Sequence, residues 1–453
     1  MNRLITGRPI RPSERKPMEQ FDFIGIGAGP SNLSLAALAE PITSLRGKFL
    51  DAKPQFQWHA GAMLPGSVLQ VSYLKDLVTL VDPTSRYSFL NFLVQEGRIY
   101  RAMTANKVGC SRYEFEQYFR WAANQLPTIR WGERAQTVRI SNDRFEVTCE
   151  SRFQAAAASL VLGTGRVPAL PDFAAEHKDS SQVLHSSEIL NIRPDFKGKR
   201  VLVVGAGQSG AEIVDFLLSH DQTLPSSITW LSSRAGFLPM DNSAFSNEWF
   251  AAPYVDYFYS LSPERRSSLL EQQRLASDGI SESLIQNIYA RLYQLDIAGS
   301  GILHHQLLPC RRMTGLCRNH NQLVATLYNA DVNRIEHCEV DVVIFCSGYR
   351  TVFPAFMESL RDRMVDKNGA LQIRPDYSIA WDGPENLRIY VLNGAERTHG
   401  IADPNLSLMS WRSARVLNAL AGREVYPSYR ATTTTAWKND DAFHNLLSVA
   451  DRR

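Results

Sequence analysis

The sequence predicts an α/β chain with two parallel-sheet domains and a small helical insert. Two stretches, FDFIGIGAGPSNLSLAAL at 21–38 and VLVVGAGQSGAEIVDFLL at 201–218, each contain an apolar strand, a glycine turn and a helical pattern. An aromatic and then polar helical segment follows the second stretch. Because a strand, a glycine turn and a helix in this order open a dinucleotide-binding sheet, we predict two Rossmann-like dinucleotide-binding domains.

The first glycine turn predicts a nucleotide without a 2′-phosphate. The residues that we assign to it are Gly25, Gly27, Gly29, Pro30 and Ser31. Backbone N–H groups at a helix N-terminus bind a pyrophosphate, and side chains on the glycines would block its approach. The next strand ends at Asp51, where an acid accepts a hydrogen bond from the ribose and repels a 2′-phosphate.

The second glycine turn matches the full G-x-G-x-x-G pattern. The residues that we assign to it are Gly205, Gly207, Gln208, Ser209 and Gly210. At the end of its next strand stand Ser232, Ser233 and Arg234, without a carboxylate. Hydroxyls and a guanidinium suit a 2′-phosphate, so this turn predicts NADP(H).

These two sites on one chain indicate a flavoprotein that NADPH reduces. We therefore assign FAD to the first turn and NADPH to the second. The alternative is that each glycine turn only makes a tight bend in a domain that binds no nucleotide. A single pattern of this kind is weak evidence, but two, each between a strand and a helix, favour nucleotide binding.

Further strands that end in glycine, SLVLGTG and DVVIFCSG, extend the two sheets. We predict an FAD-binding domain at 1–195 and 350–453, an NADPH-binding domain at 196–240 and 289–349, and a helical substrate-binding insert at 241–288. We expect a loose tail in the first 20 residues and a loop in the threonine run at 432–435.

Composition excludes several classes of protein. The 49 basic and 46 acidic residues leave a net charge of +3, too small to indicate a nucleic-acid or membrane-surface partner. No apolar run approaches the roughly 18 residues of a membrane span, and the N-terminus lacks the apolar core of a secretion signal. Six dispersed cysteines predict a cytoplasmic protein without a structural metal. We expect a small-molecule partner.

The remaining segments are distinctive in combination. They are QFQWH, LKDLVTLVDPTSRYSFLNFL, LGTGRVPALP, FCSGYR and THGIADPNLSLMSWRSAR. With both glycine turns, they resemble the N-hydroxylating flavin monooxygenases of siderophore pathways, which act on lysine, ornithine or diamines. Since the sequence lacks the cysteine pair of flavin disulfide reductases, the resemblance implies an oxygen-using enzyme.

The resemblance also implies residue roles. Near the flavin it implies Trp58, His59, Gln70, Ser407 and Leu408. For catalysis and substrate binding it implies Lys75 and Asn247, with Gln70 beside them. The segment SDGI at 277–280 is similar to the lysine and diamine branch, and we assign Asp278 to the distal ammonium of the substrate. The alternatives are a surface ion pair for Lys75 and Asp76, a helix cap for Asn247 and a turn former for Asp278.

The implied reaction transfers one oxygen atom of O2 to a neutral amine nitrogen and uses NADPH as the reductant. A free alkylammonium has a pKa near 10.4, so the site must favour the neutral amine. The segment around LKDLV and Asp278 favour a diamine, cadaverine or putrescine, as the substrate. The alternatives are L-lysine N6-hydroxylation, a non-catalytic NADP-binding regulator, and an uncoupled NADPH oxidase. We expect a homo-oligomer, either a dimer or a tetramer.

Overall fold

The computed structural model describes residues 18–427 and 431–437, except 106–108, 178–179, 220, 300, 321 and 368. The predicted N-terminal tail lies outside the described residues up to residue 17. Glu19 and Gln20 belong to the first strand, so the prediction of a loose tail is wrong for these two residues. The threonine run at 432–435 contains neither helix nor strand, as expected. Among the described helices, none combines the length and the apolar character that a membrane span requires.

The strands of the described residues are numbered in chain order. β1 to β19 are Glu19–Ile26, Gly47–Asp51, Ile129–Trp131, Ala135–Ser141, Arg144–Cys149, Gln154–Leu162, Val167–Pro168, Val183–His185, Arg200–Val204, Ser227–Leu231, His304–Leu308, Arg311–Asn319, Gln322–Asn329, Arg334–Val340, Val342–Phe345, Tyr349–Arg350, Gln372–Ile373, Ile379–Ala380 and Arg388–Val391.

The α-helices are numbered in the same way. α1 to α14 are Pro30–Ala39, Phe89–Gln95, Ile99–Ala105, Arg112–Asn124, Asp172–Ala175, Ile189–Ile192, Gln208–Leu218, Ala252–Ser260, Pro263–Gln272, Arg274–Asp278, Glu282–Ala298, Arg361–Met364, Glu396–His399 and Met409–Ala421. Short 3₁₀ helices occur at Ala60–Ala62, Ser186–Glu188, Asp221–Thr223, Ser246–Phe250, Ala355–Leu360 and Leu406–Leu408.

The first sheet forms around the N-terminal strand, turn and helix. Its order is β3-β2-β1-β6-β5-β4, with β19 paired to β6. β1 runs parallel to β2 and to β6, and β19 is also parallel to β6. The carboxyl ends of these parallel strands meet at one edge, where open α/β sheets bind their ligands. The first glycine turn lies at this edge.

The second sheet is parallel throughout and has the order β11-β10-β9-β15-β8. The second glycine turn links β9 to α7, as predicted. β8 at Val183–His185 pairs with β15, so the second domain begins earlier than the predicted boundary at residue 196. The antiparallel sheet β12-β13-β14 packs against one face of this domain.

The helical insert is shorter than predicted at its C-terminal end. Leu292 and Leu295 of α11 are buried in the core of the second domain, with Ile213 and Val214 of α7. α11, which begins at Glu282, therefore belongs to that domain and not to the insert.

The insert also packs on the first domain. Phe250, Val255 and Ala276 form a buried cluster with Ala402 and Leu408, which lie in the segment between α13 and α14. The insert therefore connects the second domain to the C-terminal part of the first domain.

Candidate active site

The first glycine turn leaves the N-terminus of α1 open. Gly29 is the N-cap of α1, and no side chain caps the helix there. A Cβ on Gly29 would meet open space, whereas Gly27 has a φ of +89° and a Cβ there would overlap the carbonyl group of Gly163. The backbone N–H groups of the first turn of α1 are therefore available to an anion. This arrangement fits a pyrophosphate.

Two polar side chains fix this turn. Asn32 is 1% exposed, and its Nδ2 donates to the carbonyl oxygen of Gly27 at 2.6 Å. Asp51, at the end of β2, accepts from the backbone N–H of Ala28 at 2.7 Å and of Lys53 at 2.8 Å. The assignment of Asp51 to a ribose stays a prediction. Asn32 was not among the predicted residues, and its only signal in the sequence is a polar residue inside the apolar stretch of α1.

The second glycine turn leaves the N-terminus of α7 open in the same way. Gly207 is the N-cap, again without a side-chain cap. Gly205 has a φ of +120°, and Trp230 donates from Nε1 to its carbonyl oxygen at 2.9 Å. A Cβ on Gly210 would overlap that same carbonyl, so glycine is required at this position for the turn to close. A second pyrophosphate fits here.

The predicted 2′-phosphate residues have different surroundings. Ser232 is fully buried, and its hydroxyl accepts from the N–H of Arg234 and donates to the carbonyl of Gly236, so it shapes the turn. Ser233 is exposed. The guanidinium of Arg234 lies 3.5 Å from the carboxylate of Asp278, which also pairs with Arg274 at 3.3 Å. The assignment of Arg234 and Ser233 to a 2′-phosphate stays a prediction.

We predict that Arg234→Ala raises the KM for NADPH by roughly ten- to a hundredfold, through loss of a charge-assisted phosphate contact. The KM for NADH, which lacks the phosphate, should change little. Steady-state NADPH and NADH oxidation measure both values. An equal loss with the two nucleotides would contradict the assignment of Arg234.

A cavity of about 340 Å³ lies where the first domain meets the insert. Its walls include Gln70, Lys75, Asn247, Asn405 and Ser407. The structure therefore brings together four of the predicted site residues from three distant segments of the chain. Trp58, His59, Leu408 and Asp278 do not line this cavity.

Lys75 and Asp76 are adjacent, but Asp76 is buried among hydrogen-bond donors and Lys75 lies in the cavity wall. Asp76 is 1% exposed and accepts from the backbone N–H groups of Val78, Thr79 and Phe89. Burial raises its pKa, and these hydrogen bonds oppose that rise. Lys75 lines the cavity, where desolvation lowers its pKa, and it takes part in none of the ion pairs of the described residues. The alternative of a surface ion pair is therefore wrong.

Asn247 presents an acceptor to the cavity. It lies inside the 3₁₀ helix Ser246–Phe250, whose N-cap is Phe245, so the helix-cap alternative is wrong. Its Nδ2 donates to the carbonyl oxygen of Asn242 at 3.0 Å. Because the amide nitrogen has this partner, Oδ1 remains the atom that accepts a hydrogen bond from a ligand.

The residues predicted near the flavin fall into two groups. Ser407 is 1% exposed, and its hydroxyl donates to Oδ1 of Asn405 at 2.6 Å, which fixes both at the cavity wall. Leu408 is buried behind Ser407 against the insert. Trp58 packs edge-on against Phe119 with ring centroids 5.3 Å apart, away from the cavity wall.

His59 lies next to Trp58 in a left-handed backbone conformation, with a φ of +48°. Its ring centroid lies 6.2 Å from that of Tyr349, at the point where the chain returns from the second domain. His59 therefore stands at the boundary between the domains. The assignment of Trp58 and His59 to the flavin stays a prediction.

The carboxylate in the cavity wall is Asp241, not the predicted Asp278. Oδ1 of Asp241 accepts from the hydroxyl of Ser246 at 2.7 Å and from the N–H of Ser243 at 3.3 Å. The hydrogen bond from Ser246 is the main cause that lowers the pKa of Asp241, so this group is ionised at neutral pH. In the sequence, MDNS has the composition of a turn, so Asp241 carried no separate signal.

The comparisons with known proteins identify the family. The family model for L-lysine 6-monooxygenase/L-ornithine 5-monooxygenase matches residues 19–351. The chain belongs to this family. It is 37% identical to the L-lysine N6-monooxygenase of Escherichia coli over 93% of this chain and 99% of that protein. The predicted family and enzyme class are confirmed.

Two solved structures show the same fold with ligands. One is the FAD-bound cadaverine monooxygenase of the desferrioxamine pathway from Erwinia amylovora, with a TM-score of 0.85 and 32% identity over 92% of this chain and 97% of that one. The other is the ornithine N-hydroxylase of Kutzneria sp. 744 with reduced FAD, NADP+ and L-ornithine. Its TM-score is 0.82, with 28% identity over 89% of this chain and 99% of that one. These ligands match the cofactor pair predicted from the sequence.

Proposed function

We propose that the protein hydroxylates the terminal amine of L-lysine with NADPH and O2, as a step toward a hydroxamate siderophore. One amine, one O2, one NADPH and one proton give one hydroxylamine, one NADP+ and one water. The observation that carries the choice of substrate is Lys75, a cation in the cavity wall without an acidic partner among the described residues. This choice differs from the diamine that the sequence favoured.

The cofactors fit the two open helix termini. Gly27 and Gly29 at α1 would hold the pyrophosphate of FAD, and Gly205, Gly207 and Gly210 at α7 that of NADPH. When bound, FAD supplies the activation of O2 and NADPH supplies the electrons for it. The chain itself must hold the amine, exclude water and keep the reacting nitrogen neutral.

Asn247 suits the task of keeping the amine neutral. Its Oδ1 accepts an N–H of the amine without adding a negative charge, which would raise the pKa of the ammonium. The lone pair of the nitrogen then remains available for bond formation to oxygen. Desolvation in the cavity acts in the same direction, because burial disfavours a cation.

The remaining end of L-lysine carries one charge of each sign, and so does the cavity wall. The α-carboxylate complements Lys75, and the α-ammonium complements Asp241. Each contact is a charge-assisted hydrogen bond in a partly desolvated site. A zwitterionic head group therefore satisfies both residues at once.

A diamine is the second candidate, and two observations favour it. Asp241 complements a distal ammonium, and the cadaverine monooxygenase has a TM-score of 0.85 to this chain. Against it, the same ammonium would stand in a cavity with Lys75, and like charges at short range repel. Lys75 should therefore strengthen the binding of L-lysine and weaken the binding of a diamine.

We predict that Lys75→Met raises the KM for L-lysine by roughly ten- to a hundredfold, because a charge-assisted carboxylate contact is lost. With cadaverine or putrescine the KM should stay the same or fall. Hydroxylamine formation with all these amines and L-ornithine measures this, and Lys199→Met on the exposed surface serves as the control. A wild-type preference for a diamine over L-lysine would contradict the choice of substrate.

A further inference from the structure

Arg112 and Glu212 link the two nucleotide domains. Arg112 is the first residue of α4 in the first domain, and Glu212 lies one turn into α7 in the second. Nη2 of Arg112 lies 2.6 Å from Oε1 of Glu212, and Nη1 lies 2.9 Å from Oε2. The side chains are 22% and 10% exposed. A bidentate pair in this setting fixes an orientation more strongly than a surface pair.

A second polar path runs beside this pair. Gln208, the first residue of α7, donates to Oε1 of Glu212 at 2.9 Å. Its own Oε1 accepts from the backbone N–H of Ser281 at 2.9 Å and from the Ser281 hydroxyl at 3.1 Å. Gln70 of the first domain donates to that hydroxyl at 3.2 Å. The open end of α7 is therefore tied to the first domain at Arg112 and at Gln70.

The backbone ties Arg112 to the same segment of the first domain. The N–H of Arg112 donates to the carbonyl oxygen of Ser67, three residues before Gln70. Of the ion pairs among the described residues, only Arg112–Glu212 joins the first domain to the second sheet and its helices.

We propose that Arg112 and Glu212 are a positioning pair that sets the nicotinamide end of NADPH against the flavin. This inference rests on the proposed use of NADPH and FAD, and it concerns neither the amine nor its hydroxylation. NADPH, the electron donor, would bind at α7, and FAD, the electron acceptor, would bind at α1. The distance between the nicotinamide and the flavin therefore depends on how the two domains are oriented. Reactions between bound groups lose rate steeply when the reacting atoms are displaced by about 1 Å.

The test uses the FAD-loaded protein without amine. In Glu212→Gln and Arg112→Gln, we expect the anaerobic rate of flavin reduction by NADPH to fall by about tenfold or more. Reduction by dithionite, which does not use the nucleotide domain, should keep its wild-type rate. NADP+ affinity, measured by calorimetric titration, should change by much less than the reduction rate, because the pair orients the bound nucleotide, and the FAD content should not change.

Two further variants separate positioning from a general loss of stability. The charge exchange Arg112→Glu with Glu212→Arg should restore much of the rate, because the pair is re-formed across the boundary. Arg120→Gln breaks the Arg120–Glu116 pair, 2.6 Å long and within α4, and should leave both reduction rates unchanged. Wild-type reduction by NADPH in the single variants, or a charge exchange no faster than they are, would overturn the proposal. If the wild type reduces its flavin with NADPH but hydroxylates no amine, the proposed function fails and this inference stands.

Discussion

Replacing Gly27 with alanine should yield protein without bound flavin and without NADPH oxidation. Gly27 has a φ of +89°, where a side chain is strained, and its Cβ would overlap the carbonyl group of Gly163, the residue directly after β6. Relief of this overlap requires the turn to move away from β6. The N-terminus of α1 then no longer presents its N–H groups in the arrangement that fits a pyrophosphate.

Flavin absorbance per mole of purified protein measures the effect of Gly27→Ala directly. Gly132→Ala is a matched control, since Gly132 has a φ of +75° in the same domain and a Cβ there would meet no atom within 4 Å. The control carries the backbone strain but not the overlap, so it should keep its flavin. Full flavin content in Gly27→Ala would contradict the assignment of the first cofactor to this turn.

Arg412→Met should lower the free energy of unfolding by about 3–5 kcal/mol, because it leaves a buried carboxylate without its cation. Arg412 is 2% exposed and Asp403 is 1% exposed, and Nη1 of Arg412 lies 3.3 Å from Oδ1 of Asp403. Arg412 also donates to the carbonyl of Asn405 at 3.2 Å. The pair thus holds the segment that carries Asn405 and Ser407 to the cavity.

Urea unfolding of the FAD-loaded protein checks this value. Arg361→Met removes an exposed pair with Glu358, 2.9 Å long, and should lower the free energy of unfolding by about 1 kcal/mol or less. Adding Asp403→Asn to Arg412→Met should recover part of the loss, since no buried charge then lacks a partner. An Arg412→Met variant as stable as the Arg361→Met control would contradict this account of the segment.

The glycine turns were predictable because their chemistry is local. Backbone conformation, glycine spacing and the helix that follows lie within a few residues of one another, as at Gly205 and Gly210. Lys75 and Asn247 came from resemblance to a family, and the fold brings them to one cavity although 172 residues separate their numbers. The resemblance could not say that Lys75 lacks an acidic partner among the described residues, since that depends on the packing around it.

The surroundings of Asp278 and Asp241 were not predictable, because they depend on contacts between residues far apart in the sequence. Asp278 is the last residue of α10, and its carboxylate lies between Arg234 and Arg274. The segment SDGI alone does not predict these two partners. Asp241 reaches the cavity because the insert folds against the first domain.

The same limit applies to the domain boundaries. β8 is a strand of three residues whose only strand partner in the second sheet is β15, more than 150 residues later in the sequence. Arg112 and Glu212 are 100 residues apart, so their pairing is visible only in three dimensions.

We expect electrons from NADPH to pass through a flavin on this chain and to place one oxygen atom on a terminal amine. The most direct measurement is the balance of NADPH consumed, hydroxylamine formed and hydrogen peroxide released by the FAD-loaded protein with L-lysine. We expect close to one hydroxylamine per NADPH and little peroxide. If peroxide accounts for all the NADPH with L-lysine and with every other amine tested, the protein is an oxidase and the account is contradicted.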